Sequence, residues 1–141
     1  MQLKEKIEEL KNYLSEYEKL VQAMSLVYWD MRTNMPTKAG ESRSKVLEYL
    51  SGESFKMVTS SKVEDFINDL SKYKNEMNHT EARMLQELER NYNETKKIPQ
   101  DRYVAFVGVC SNSELAWEKA KDANDFEIFK PHLEKVVEFQ K

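Results

Sequence analysis

The chain has 141 residues, 40% hydrophobic and 33% charged, with 25 acidic residues against 22 basic ones for a net charge of −3. That is enough apolar material for a packed core and too much for a disordered segment, and the interspersed, slightly acidic charge is no footprint for nucleic acid. A single cysteine, Cys110, excludes an internal disulfide and a CxxC metal site and fits a reducing, cytoplasmic setting; no stretch nears the ~18 apolar residues of a membrane span, and the amphipathic start lacks a signal peptide's apolar run.

Leu3, Ile7, Leu10, Leu14, Tyr17, Val21, Met24 and Tyr28 alternate steps of four and three, an a/d seam with polar residues between. The spacing predicts a first helix of about 39 Å, and one such seam needs another helix laid against it. Tyr28 to Pro36 (Tyr-Trp-Asp-Met-Arg-Thr-Asn-Met-Pro) is expected to close that helix and open a loop crowded with aromatic and charged groups. Thr37 can cap a second helix through about Tyr49, with Val46, Leu47 and Leu50 inward and Gly52 as its stop. Phe55 to Ser60 reads as a short turn or helical piece. Ser60 or Ser61 then caps a helix with Val63, Phe66, Ile67 and Leu70 on one face.

Asn78, with Glu81 three residues on, is a capping-box start for a helix that places Ala82, Leu85, Leu88 and Tyr92 on one side. Ile98-Pro99 breaks it, and Pro99 suits the first turn of the next helix. There Tyr103, Phe106, Val107, Cys110 and Trp117 fall at core spacing. Lys121-Asp122-Ala123-Asn124 ends that helix, Asp125 to Phe129 turns, and Pro131 opens a last helix with Leu133, Val136 and Val137 inward. Nothing alternates with period two, so no strand is predicted. The expectation is an all-α fold: an antiparallel long-helix bundle of about five to seven helices with no sheet. It is read as one helical domain over residues 1–141, with hairpin regions 1–75 and 78–141 packed together. The last helix carries no stop signal before Lys141, so the chain is expected to be cut from a longer one.

Tests for chemistry return no catalytic, cofactor-binding or metal residue. A zinc peptidase helix needs two histidines one turn apart with a glutamate between them. Here Arg83 stands four residues after His79, and Val136 four after His132. His132-Leu133-Glu134 lacks the downstream Pro-Cys-x-x-Cys of a deaminase, and Cys110 sits among Phe106 and Val107 as a small apolar residue. No phosphate-cradling glycine pattern occurs. The candidates left are Tyr28, Trp29, Asp30 and Arg32. In one reading Trp29 packs over the helix end, while Asp30 caps backbone N–H groups or pairs with Arg32. In the other they face a cleft and touch a substrate or a partner domain.

Tyr28 to Pro36 after an amphipathic helix, followed by Glu41-Ser42-Arg43 and Leu47 to Leu50, resembles the N-terminus of the thermostable (Taq-type) zinc carboxypeptidases. So does the ordered set Asn91 to Pro99, Cys110-Ser111, Ala116 to Lys121, Asn124-Asp125-Phe126 and Phe129 to Lys135. The resemblance covers nearly the whole chain. It implies a several-hundred-residue helical enzyme that removes C-terminal amino acids from peptides, with zinc held by an HExxH helix and a downstream glutamate beyond the matched region. This chain would then be the N-terminal wall or flap of the cleft, inactive and zinc-free alone. Its partners would be the remainder of the polypeptide, peptide substrates and a possible homodimer mate, with neither nucleic acid nor membrane. The other reading is a freestanding helical interaction or adaptor module. Trp29→Ala is expected to destabilise the full enzyme more than it alters peptide specificity.

Overall fold

The computed structural model describes Gln2 to Lys141, and these residues are helical wherever they are regular, with no strand among them. The helices are α1 (Gln2–Thr33), α2 (Gly40–Val58), α3 (Ser61–Leu70), α4 (His79–Thr95), α5 (Gln100–Ala123) and α6 (Lys130–Gln140), with 3₁₀ turns at Ser71–Glu76 and Phe126–Ile128. This is the all-α fold expected. The chain forms two compact units, Met1–Gln22 with Glu53–Pro99, and Ala23–Gly52 with Gln100–Lys141. Each draws on both halves of the sequence, a different partition from hairpins over 1–75 and 78–141.

The first unit has a closed apolar core. Ile7 and Leu10 of α1 meet Val63, Phe66, Ile67 and Leu70 of α3 and Leu85, Leu88 and Tyr92 of α4, with Leu3 and Leu14 packed at the margin. The first half of the a/d seam, Leu3 to Leu14, therefore finds its partner helices here, while Val21 and Tyr28 farther along it are exposed. Leu10, Leu70 and Leu85 are wholly inaccessible, and a side chain of that kind contributes roughly 1.5–3 kcal/mol through burial. Polar residues set the helix starts. The Ser60 hydroxyl accepts from the Val63 N–H at 3.3 Å, and the Tyr13 hydroxyl donates to the Met57 carbonyl at 2.9 Å. Asn78 and Glu81 form the reciprocal capping box, at 2.9 and 3.2 Å. Lys6 pairs with Asp69.

The second unit is built on small and polar residues. Gly40 of α2 lies against Leu115 of α5, Ser44 against Ser111, Glu48 against Gly108, and Gly52 against Val104. The numbers rise along one helix as they fall along the other, which is an antiparallel register. Ser44 and Ser111 are buried and share a hydrogen bond of 2.8 Å, so neither hydroxyl is left unsatisfied. A methyl group at position 52 would stand 3.3 Å from Val104 Cγ2.

That packing explains several departures from the expected elements. Gly52 does not stop α2, because its backbone is helical, without the positive φ of a glycine cap. The helix runs on to Val58, and Phe55 is buried within it. It also begins at Gly40, beyond Thr37. The inward face of α5 is Gly108, Ser111, Ser113, Ala116 and Ala120; Tyr103, Phe106, Val107 and Cys110 are only partly buried and Trp117 is 47% exposed. Val46, Leu133 and Val137 are likewise exposed, not inward. Helical periodicity marks an apolar stripe but not which stripe meets a neighbour. The end of α5 falls where expected. Asn124 takes φ 51°, and the N–H groups of Asp125 and Asn124 donate to the carbonyls of Ala120 and Lys121 at 2.9 and 3.2 Å, a Schellman motif.

Candidate functional site

The site is the C-terminal end of α1 and what it touches in the second unit. Tyr28 to Thr33 are helical, not the opening of a loop. No glycine or proline interrupts them, and the first residue unable to continue a helix is Pro36, which also biases Met35 away from it. The last turn closes on Asp30, whose carbonyl accepts from the N–H groups of Asn34 at 3.1 Å and Met35 at 2.8 Å.

One helical turn aims these side chains in different directions. Met31 is buried. The Asp30 carboxylate accepts from Arg43 Nε of α2 at 2.7 Å. Arg32 reaches α5, with one nitrogen donating to Glu114 at 2.5 Å and the other to Glu118. Glu114 and Glu118 stand four apart on α5 and so share a face. Asp30 therefore pairs with Arg43, not Arg32, because residues two apart on a helix point away from each other. All these groups keep about a third or more of their surface in solvent. Each pair is worth about 0–1 kcal/mol in stability and more in fixing orientation.

Trp29 does not pack over the helix end; it is 67% exposed. Tyr28 is 39% exposed, and its phenol is pushed above the ordinary value by burial, then by Glu114. The sequence does not single out Glu114, and Arg43 and Glu118 enter there only as members of longer motifs, without a role at this site. The i, i+4 carboxylates were a visible signal, but nothing in the sequence said which cation they face.

Beside Arg32 lies a depression of about 430 Å³, lined among others by Cys110, Ser113, Trp117, Phe129 and Val136. Neither nucleophile there is activated. Burial, then Glu114, holds the Cys110 thiol above its usual range, and the Ser113 hydroxyl is turned to backbone carbonyls, those of Val109 at 2.7 Å and His132 at 3.4 Å. His79 is exposed at the start of α4, and His132 is half-buried on α6. Among the described residues, no group of three or more His, Cys, Asp or Glu side chains could hold a metal ion, and no helix is long and apolar enough to cross a membrane. The arrangement orients two charged side chains and leaves Trp29 and part of Tyr28 exposed.

The sequence profile of the carboxypeptidase Taq (M32) metallopeptidase family matches residues 9–141. The chain is 34% identical over 120 residues to carboxypeptidase 1 of Bacillus subtilis (strain 168), covering 85% of this chain and 24% of that protein. It is 27% identical over 139 residues to thermostable carboxypeptidase 1 of Pyrococcus furiosus, covering 95% and 27%. The BsuCP crystal structure superposes with a TM-score of 0.91 at 31% identity, over 95% of this chain and 27% of that one. Metallocarboxypeptidase 1 of Trypanosoma cruzi shares the fold at a TM-score of 0.71 and 19% identity, over 96% and 27%. The chain thus spans about a quarter of the length of the relatives it matches.

Proposed function

The chain belongs to the carboxypeptidase Taq (M32) metallopeptidase family, and from that premise we propose that it is the N-terminal helical region of a zinc metallocarboxypeptidase, a wall or flap of the cleft in which C-terminal amino acids are removed from peptides. The observation that carries this is the likeness over 95% of the chain to 27% of a much longer one. The metal belongs to the whole enzyme. The two histidines here lie on different helices, and the described residues offer no ligand set, so no step of the hydrolysis is assigned to this chain.

Within that role Asp30 and Arg32 are positioning residues. They tie the end of α1 to Arg43 of α2 and to Glu114 and Glu118 of α5, which sets where Tyr28 and Trp29 stand. Those two aromatics are the side chains available to the cleft. The partners are the remainder of the polypeptide and, through it, peptide substrates, in the cytoplasm. The isolated chain binds no stoichiometric zinc and releases no amino acid.

The test is the source gene past the codon for Lys141. An open frame running into an HExxH helix supports the reading. A stop codon overturns it in favour of a freestanding helical module. For the isolated chain, stoichiometric zinc by elemental analysis together with metal-dependent release of C-terminal residues would refute inactivity.

A further inference from the structure

The two units satisfy their apolar residues unequally. Nine core residues close on one another in the first. The buried hydrophobic residues of the second are Met31, Leu47, Ala116 and Ala120. Among the exposed large hydrophobics, Val21, Tyr73 and Ile98 belong to the first unit and the rest, from Leu26 to Val137, to the second. A surface of that kind marks an interface.

On α5 and α6 this apolar surface is also concave. The depression of about 430 Å³ at Cys110 and Val136 shares Trp117 and Phe129 with a second of about 430 Å³ that reaches Phe126. The two shared rings make them one furrow. Its rim carries both signs: Arg32 faces Glu114 and Glu118, Lys121 stacks over the Trp117 ring at 5.1 Å, and Asp125 lines the far end. A rim on which carboxylates slightly outnumber cations attracts neither a polyanion nor an acidic tail. It suits an amphipathic helix that lays apolar residues at i, i+3, i+4 and i+7 into it.

We propose that the α5–α6 furrow around Trp117, Phe129 and Val136 seats an amphipathic helix from the remainder of the carboxypeptidase polypeptide. This rests on the reading of the chain as one region of a longer enzyme. The occupant is argued from length, because the relatives carry about three quarters of their chain outside the part matched here.

Cys110, the only cysteine, lines the furrow and reports its occupancy. The experiment compares iodoacetamide alkylation of Cys110, read by mass spectrometry, in the free 141-residue chain and in a chimera. In the chimera this chain replaces the matching segment of Bacillus subtilis carboxypeptidase 1. Alkylation is expected at least tenfold slower in the chimera. Trp117→Glu in the chimera should restore the fast rate, whereas Tyr49→Glu, on the exposed face of α2, should not. A chimera rate equal to or above that of the free chain overturns the proposal. So does protection that survives Trp117→Glu. Protection of the free chain that grows with its own concentration also overturns it, because a second copy is then the occupant. A stop codon after Lys141 would end the fragment reading itself; a helical, folded chimera with an unprotected Cys110 would end only the furrow's role.

Discussion

Gly108→Ala should be close to neutral in the native chain and stabilising once Glu48 is trimmed. A glycine inside a helix costs about 0.8–1.0 kcal/mol relative to alanine, so the substitution starts with that gain, since Gly108 is an interior residue of α5. Against it, a Cβ at position 108 would come within 2.6 Å of Glu48 Cδ and 3.0 Å of its Cγ, inside van der Waals contact. These atoms are the outer end of a flexible, half-buried side chain, so Glu48 makes room by turning away from its present rotamer. A displaced χ angle costs about 0.5–1.5 kcal/mol. The net effect of Gly108→Ala is then within about 0.5 kcal/mol of zero in either direction. In a Glu48→Ala background the overlap is gone, and the same change should gain about 1 kcal/mol. The coupling energy of the cycle equals the cost of displacing Glu48, about 0.5–1.5 kcal/mol. Urea unfolding followed by circular dichroism measures all four proteins, and the melting temperature should move about 3 °C per kcal/mol in a chain of this size. If Gly108→Ala has the same effect in both backgrounds, Gly108 is not held by Glu48, and the register drawn between α2 and α5 is wrong at its centre.

The same assay separates Trp29 from the core. In the 141-residue chain Trp29→Ala should cost less than about 1 kcal/mol because two thirds of the side chain is already in water, whereas Leu85→Ala should cost about 2–5 kcal/mol; a larger loss for Trp29 would show it buried. Asn78→Ala removes one half of the capping box and should cost about 1 kcal/mol, with Glu81→Ala in the Asn78→Ala background adding little. Asp69 is held below the ordinary aspartate value by hydrogen bonds from Lys6 and Lys72, so its contribution is present above pH 3.8 and is lost as pH falls through the lower folded value. Asp69→Asn should therefore flatten the acid limb of the stability curve, and an acid limb as steep as the native one would show the pair adds nothing.

What the sequence determined by itself is what local chemistry decides. The first half of the a/d seam of α1, the Ser60 and Asn78 caps, the break at Ile98-Pro99 and the end of α5 at Asn124 all depend on residues within a few positions of one another, and each is where the pattern put it. The ordered motifs from Tyr28 to Lys135 likewise pointed to the family that the whole-chain match supports. The tertiary structure decided what depends on a distant partner. Gly52 lies inside a helix with Val104 packed beside it, and a sequence window around Gly52 contains no sign of Val104. Asp30 takes Arg43, and Arg32 takes Glu114 and Glu118, because a helix separates neighbours in sequence onto different faces and returns them to partners many residues away. Trp117 is half exposed while Ser111 and Ala116 are buried: hydrophobic spacing ranks residues by their preference for burial, but the closeness of α2 and α5 admits only the small ones.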